Sequence, residues 1–368
     1  LDGARVARDE FSELDRALMA RSLALAARGL YTATPNPRVG CVIAQGERIV
    51  GEGWHERAGL AHAEINALAR ADQEARGATV YLTLEPCNHH GRTPPCAKAL
   101  IAAGVARVVC AMRDPNPAAA HGAERLVAAG IAVAHGLLED EARELNLGFV
   151  SRMTRGRPWV RMKVAATLDG RSALADGTSQ WITGEAARLD GHRWRARACA
   201  LATGIGTVKA DDPRLSVRGI DTPRQPLRVV VDSRLETPPA ARILEGGNVL
   251  LFCAVDDAAR RRALEAKGAE VVVLANRAGK VDLPPMLEAL AKRGVNELHV
   301  EGGFKLNGSL LREGCVDEFL FYLNPSLLGD AAQGMVNLPA AASLDARTKL
   351  RLQAVERVGE DLRVIARR

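Results

Sequence analysis

His62-Ala63-Glu64, followed by Pro86-Cys87 and then Cys96, gathers an imidazole, two thiols and a carboxylate within one stretch of chain. Imidazole and thiolate are ligands that zinc favours. A zinc held by three protein ligands keeps a fourth position for water, whose pKa it lowers toward ~7. Glu64 sits two residues from the imidazole, near enough to move protons for such a water without ligating the metal.

Taken singly, a buried histidine and two core thiols need no metal. Their order, their spacing and Pro86 together match the H-x-E…P-C-x-x-C grammar of zinc-dependent base deaminases. One departure stands out: eight residues, rather than two, separate Cys87 from Cys96. A purely structural zinc would want a fourth protein ligand, which His89 or His90 could supply, but Glu64 would then have no task. The open, catalytic site is the preferred reading.

Other segments carry polar groups in loops. Asn36, in TPNPRVG, offers an amide that can read both donor and acceptor edges of a pyrimidine ring, although Asn-Pro pairs also simply start turns. Arg92, in NHHGRT, could grip a phosphate with both arms or be only part of a solvated loop. Asp114-Pro115-Asn116-Pro117 follows an apolar run, where ligand-facing loops of α/β sheets lie. Further on, no G-x-G-x-x-G follows a strand. Gly204-Ile205-Gly206-Thr207 and Glu301-Gly302-Gly303 each end a strand and open a helix, where backbone N–H groups can receive phosphate or merely turn the chain. KADDPRLSVR holds Asp211, Asp212, Arg214 and Arg218, the last a candidate phosphate clamp.

These groups need a scaffold. Leu14, Leu18 and Leu25 recur at helical spacing over Ser12 to Arg28. VGCVIA and RIVGEGW read as a hairpin, AHAEINALARA as a helix, ATVYLTLEP as a buried strand and CAKALIAAG as a second helix; RVVCAM, residues 123–129 and IAVAHGL continue as strand, helix and strand. This order implies a sheet covered by helices on both faces, with His62 and Cys96 at helix N-termini, whose partial positive charge favours thiolate. SRMTRGRP is basic and broken by Gly156 and Pro158, and it is expected as a linker over 151–157 between domains 12–150 and 158–368. The second region reads as α/β, with strands WVRMKVAAT, ACALAT, PLRVVVDS, NVLLFC, AEVVVLA, ELHVEGG and DEFLFYLNP. Helices are expected near 256–267, 283–293 and 304–312, and the chain ends in a hairpin-like alternation.

Size and composition bound the rest. A length of 368 residues exceeds one ordinary domain, and 47% hydrophobic with 26% charged residues is globular composition with material for two cores. No apolar run reaches the ~20 residues of a membrane span, and the polar opening over 1–11 is expected as a frayed extension without a signal-peptide core. A net charge of +6 suits phosphorylated small molecules as well as it suits nucleic acid, but 4% aromatics is poor in the stacking groups that single-stranded nucleic acid needs. Seven cysteines, an odd number, point to a reducing cytoplasm, with Cys41, Cys110, Cys199, Cys253 and Cys315 as core residues.

End to end from about Ser12, the chain resembles the bifunctional riboflavin-biosynthesis deaminase–reductase family. TPNPRVGCVI, HAEINAL, TLEPCNHHGRTPPC and DPNP are similar to its deaminase half; MKVAATLDGRSA, SQWITG, TGIGTVKADDPRLSVR, VVVDS and VEGGFKLNGSLL are similar to its reductase half. The long intercysteine segment is itself a mark of that family. The resemblance implies a cytidine-deaminase-like α/β/α domain followed by a dihydrofolate-reductase-like α/β domain. It implies removal of the 2-amino group of 2,5-diamino-6-ribosylamino-4(3H)-pyrimidinone 5′-phosphate, then NADPH-dependent reduction of the ribosyl chain to give 5-amino-6-(5-phosphoribitylamino)uracil.

Carried onto this sequence, the resemblance makes His62, Cys87 and Cys96 ligands of Zn2+, with Glu64 as the general base and then acid. NADPH is expected at Ala165, Trp181, Thr207, Asp211 and Ser233, with a glycine turn from Gly303 through Phe304, Lys305, Leu306, Asn307 and Gly308 to Ser309 over its pyrophosphate. Substrate is expected at Ser179, Arg195, Leu215, Arg218 and Glu301, the arginines near its phosphate, and Lys163 could polarise the ring-opened carbonyl. Two departures bear on loop shape: Asn88 stands where serine is commoner, and Ala119-Ala120-His121-Gly122 replaces a Gly-basic-Gly turn. The expected partners are small phosphorylated pyrimidines and further copies of the chain, with no nucleic acid and no membrane. The competing reading is a nucleic-acid base deaminase carrying a C-terminal RNA-binding module.

Overall fold

The computed structural model describes residues 11–88 and 95–368. The chain divides into two units, 1–155 and 156–368.

In the first unit, the helix α1 (Glu13–Ala27) is followed by the strands β1 (Gly40–Gln45) and β2 (Arg48–Trp54) and the helix α2 (Ala63–Ala71). Next come β3 (Thr79–Leu82), α3 (Cys96–Ala103), β4 (Arg107–Cys110), α4 (Gly122–Ala128), β5 (Ala132–His135), α5 (Glu139–Leu145) and α6 (Leu147–Arg155). The sheet order is β2-β1-β3-β4-β5, antiparallel from β2 to β3 and parallel from β3 to β5. Alternation along β1 explains the layers. Cys41 and Ile43 pack with Ala63, Ala67, Leu100 and Leu126 on one face, whereas Val42 and Ala44 pack with Leu18, Met19, Leu25 and Phe149 on the other.

Two contacts fix the helices that matter. Ser12 caps α1: its hydroxyl accepts from the Asp15 N–H at 3.0 Å while Asp15 accepts from the Ser12 N–H at 3.0 Å, an arrangement worth about 1 kcal/mol. Asp15 also accepts from the Tyr81 hydroxyl and from Arg107, each at 2.8 Å, so the same carboxylate ties α1 to β3 and β4. Across the sheet, α2 lies almost on the backbone of β2. A Cβ on Gly53 would come within 2.4 Å of the Ala63 carbonyl oxygen, and one on Gly51 within 2.3 Å of that of Ala67. Only glycines on the strand and alanines on the helix permit this approach, which sets the depth of His62 and Glu64.

The 151–157 segment expected as a linker is helical through Arg155, because α6 buries Phe149 and Ser151 against the first unit; Gly156, at φ +66°, ends the helix.

The second unit runs β6 (Trp159–Thr167), β7 (Arg171–Ala173), α7 (Glu185–Arg197), β8 (Ala200–Gly204), α8 (Ile205–Asp211), β9 (Leu227–Val231), β10 (Val249–Cys253), α9 (Ala258–Glu265) and β11 (Ala269–Val273). It continues with α10 (Leu283–Lys292), β12 (Glu297–Val300), α11 (Phe304–Arg312), β13 (Glu318–Asn324), β14 (Gln333–Gly334), β15 (Arg351–Val358) and β16 (Asp361–Arg367). The order β11-β10-β9-β8-β12-β6-β13-β16-β15 is parallel from β11 to β13, with β16 and β15 added antiparallel. The α/β class expected from sequence therefore holds in both units. Val160, Met162, Leu298, Val300 and Phe252 face α10 and α11 in one apolar layer; Leu201, Val230 and Leu251 face Val208 and Leu264 in another.

Beneath α7 the sheet face is polar instead. Arg161, Glu297 and Glu318 are each 1% exposed, with Arg161 bonded to both carboxylates and capped by the Trp194 ring at 4.4 Å. Arg197 and Arg367 complete the charge balance from either side. Among the described residues no helix is long and apolar enough to cross a membrane.

Candidate active sites

His62 is the N-cap of α2 and Cys96 opens α3, so two helix N-termini and the Cys87 loop converge. The imidazole Nδ1 lies 3.2 Å from Cys96 Sγ and 3.6 Å from Cys87 Sγ, and all three candidate ligand atoms fall within 4.8 Å of one another. A tetrahedral zinc places nitrogen and sulfur ligands roughly 3.6 Å apart, so the cluster fits that ion. Cys96 and then His62 donate toward Cys87 and pull its thiol below the usual range, while Cys87 and burial push Cys96 up. The backbone N–H of Cys96 also donates to Cys87 Sγ at 3.4 Å.

Glu64 is 4% exposed and is not one of the three clustered ligands; burial raises its carboxyl to about 7. A second layer orients His62. The buried His55 ring stands edge-on to it at 5.5 Å, with Nδ1 3.1 Å from the Ala61 carbonyl oxygen and Nε2 3.0 Å from Asn36 Nδ2. Donation from Nδ1 to that carbonyl leaves Nε2 to accept from Asn36. Asn36, which the neighbouring deaminase signature already tilted toward function, is thereby held on His55, the ring that stands against His62.

Glu85 is a residue that sequence reasoning missed. Buried, it accepts from Asp114 N–H at 3.3 Å and Ala123 N–H at 3.0 Å, holding the DPNP loop and the start of α4 against the Cys87 loop. Its signal was only a carboxylate inside an apolar strand end. Asp114 is partly buried, and burial raises its carboxyl to about 6. Gly122 is required by close approach, since a Cβ there would lie 1.8 Å from the Pro86 carbonyl oxygen. Asn88 bonds the exposed Arg125 at 2.8 Å, away from the ligands. His89, His90 and Arg92 lie outside the described residues.

The second unit holds a cleft of about 1630 Å³. Pockets for one small ligand run to roughly 1,000 Å³, so this cleft has room for two. It lies at the carboxyl ends of the parallel strands, where open α/β sheets bind ligands. Ala165, Ser179, Trp181, Arg195, Thr207, Asp211, Leu215, Arg218, Ser233, Glu301, Gly303, Phe304, Lys305, Leu306, Asn307 and Ser309 all line it, as does Lys163. Gly308 does not: a Cβ there would meet the Asn337 carbonyl oxygen at 2.2 Å, so this glycine lets the chain at Asn337, itself a lining residue, pack against α11. The expected glycine turn over 303–309 is corrected likewise. Gly303 is the N-cap, and Phe304 onward is α11, because Leu306, Leu310 and Leu311 at helical spacing reach the core.

Charge pairing organises this cleft. Arg195 grips Glu301 with both Nε and Nη2, the latter at 2.8 Å, and Lys163 Nζ stands 3.8 Å away. Burial alone would raise the Glu301 carboxyl, but Arg195 and Lys163 overrule it and hold it well below the carboxylate range. Burial lowers the Lys163 ammonium. Trp181 is 69% exposed, with the Arg188 guanidinium 4.7 Å from its ring. Ser233 accepts from Val281 N–H at 3.1 Å. Near Gly302 the backbone passes so close to α11 that a Cβ would lie 3.0 Å from Asn307 Oδ1 and 3.1 Å from Leu306 Cδ2, so only glycine permits this approach to the helix start.

Comparison with known proteins matches a different family to each unit. Residues 12–112 match the cytidine and deoxycytidylate deaminase zinc-binding region, and residues 158–364 match the RibD C-terminal domain. The latter match overturns the alternative of a C-terminal RNA-binding module. The chain is 44% identical over 361 residues to riboflavin biosynthesis protein RibD of Escherichia coli, covering 95% of this chain and 98% of that protein. It is 39% identical to RibD of Aquifex aeolicus, covering 97% and 99%. The structure of Acinetobacter baumannii RibD superposes with a TM-score of 0.90 at 42% identity, over 96% of this chain and 99% of that one. A Thermotoga maritima diaminohydroxyphosphoribosylaminopyrimidine deaminase/5-amino-6-(5-phosphoribosylamino)uracil reductase superposes at 0.85 with 32% identity, over 96% and 98%. With an imidazole–thiol cluster in one unit, a wide cleft at the strand ends of the other and near-complete coverage of these relatives, the chain belongs to the RibD family of bifunctional riboflavin-biosynthesis enzymes.

Proposed function

We propose that the two units act in succession on one phosphorylated pyrimidine. The first removes the 2-amino group of 2,5-diamino-6-ribosylamino-4(3H)-pyrimidinone 5′-phosphate as ammonia, and the second reduces the ribosyl chain with NADPH to give 5-amino-6-(5-phosphoribitylamino)uracil. The observation that carries this reading is the His62–Cys87–Cys96 cluster with a buried, unligated Glu64 beside it.

When bound by His62, Cys87 and Cys96, zinc supplies Lewis acidity and lowers the pKa of water. Glu64 takes a proton from the attacking water and delivers it to the departing amine, a task suited to a carboxyl held by burial at about 7. Asn36, whose Nδ2 faces His55, keeps its carbonyl oxygen for the ring edge of the substrate.

In the second unit, NADPH supplies the hydride. Ala165, Trp181, Thr207, Asp211, Ser233 and the Gly303-capped start of α11, which all line the cleft, would hold it. Arg195 and Arg218 receive the substrate phosphate, with Ser179 and Leu215 beside them. Lys163 polarises the ring-opened group and Glu301 orients Lys163 at 3.8 Å. Assembly into a homo-oligomer is supported by the edge strand β15, which leaves Leu352 at 67% and Val355 at 54% exposure. A cytoplasmic setting is supported by seven free cysteines.

The test supplies the diaminopyrimidine phosphate first without and then with NADPH. Ammonia is expected in the first stage, and NADPH oxidation equal to the ammonia released in the second. Release of ammonia only when NADPH is present would refute the order.

A further inference from the structure

His192 has no place in the scheme above, yet its surroundings are specific. It lies on α7, where helical periodicity turns Arg188, His192 and Arg195 toward the same cleft. Two of these side chains clamp the segment that carries Arg218. Arg195 Nη1 donates to the Ser216 carbonyl oxygen at 2.9 Å, and His192 Nδ1 accepts from the Arg218 backbone N–H at 3.1 Å. On the other side, Gln225 takes both backbone groups of Val217, accepting from its N–H at 2.8 Å and donating to its carbonyl at 3.2 Å. The segment begins at Leu215, a buried non-glycine residue at φ +47°, so its path depends on being held from both sides.

Acceptance at Nδ1 requires a neutral ring with its proton on Nε2. Burial, together with the Arg195 and Arg218 guanidinium groups, lowers this imidazole to about 4 and keeps it neutral. Nε2 has no protein partner among the described residues, and His192 lines the cleft. A neutral donor is thus left beside two cations at the end of the cleft assigned to the substrate phosphate.

We infer that His192 is a positioning residue of the reductase: its Nδ1 fixes the backbone of Arg218, and its Nε2–H adds an uncharged donor to the phosphate subsite. This inference rests on the functional reading above. Through Arg218, His192 governs affinity for the phosphorylated end of the substrate rather than hydride transfer.

The test compares His192→Phe, His192→Gln and the unaltered chain in NADPH oxidation. One substrate is 5-amino-6-(5-phosphoribosylamino)uracil and the other its dephosphorylated nucleoside. His192→Phe is expected to raise KM about 10-fold for the phosphorylated substrate with kcat within about 3-fold, the loss expected from removing hydrogen bonds to a charged subsite. KM for the nucleoside and for NADPH, and the rate of ammonia release, should not move. Gln offers both an acceptor and a donor, so His192→Gln should recover KM to within about 3-fold. Should the phenyl ring prevent folding, His192→Ala makes the same comparison. An unchanged KM for the phosphorylated substrate would overturn the inference, as would an equal loss on both substrates. Absence of NADPH oxidation in the unaltered chain would instead overturn the functional reading itself.

Discussion

The deaminase and reductase sites solve different electrostatic problems. In the first unit, soft ligands crowd within 4.8 Å beside a nearly dry carboxyl, and two helix N-termini set their depth. In the second, a wide cleft is lined by groups that neutralise one another, Arg195 with Glu301 above all. A metal site needs particular donor types at fixed spacing, so it leaves a mark in a short stretch of sequence. A charge-paired cleft draws its partners from distant strands and helices, and Arg195 stands 106 residues from Glu301.

If the first site depends on one proton carrier, Glu64→Gln should break it alone. Ammonia release should fall about 10³-fold. NADPH oxidation on the already deaminated substrate should stay unchanged; a parallel fall would mean that the two sites are not separate. The mirror experiment is Arg195→Ala, which frees Glu301 and the Ser216 carbonyl together. NADPH oxidation should fall about 10²-fold through misplacement of the substrate-binding groups. Ammonia release should persist.

A third substitution separates cleft charges from structural ones. Arg161→Met removes the central, buried cation from the ladder at the opposite, amino ends of β6, β12 and β13, leaving Glu297 only Arg197 and Glu318 only Arg367 as cationic partners among the pairs described. Chemical denaturation should report a loss of about 3–5 kcal/mol in the second unit. KM for NADPH should move less than about 2-fold, because this residue does not line the cleft. The smallest effect belongs to Asn88→Ser. Its partner Arg125 is exposed, so ammonia release should stay within about 2-fold, as for a surface substitution.

How much of this was legible in the sequence follows from the same contrast. The ligand set and Glu64 could be named from residue types alone. The helix expected over 304–312 is α11, because its leucines keep helical spacing. The helix α7 was not foreseen. It packs over a polar sheet face, with Asp190 accepting from the Tyr322 hydroxyl at 2.7 Å and Trp194 lying against Arg161, so it has no apolar stripe and reads as a basic run. Asp15 and Glu85 were invisible as joints for a related reason. A buried carboxylate that organises backbone and side-chain donors looks, in sequence, like any surface acid. Glycines misled at 303–309, where Gly308 serves close approach to Asn337 rather than a turn.

The most direct measurement of the central claim, two independent chemistries in one chain, is turnover by protein stripped of metal with a chelator. Ammonia release from the diaminopyrimidine phosphate should stop and return with added zinc. NADPH oxidation on the deaminated substrate should continue throughout. Undiminished ammonia release from material shown by elemental analysis to hold no metal would contradict the account.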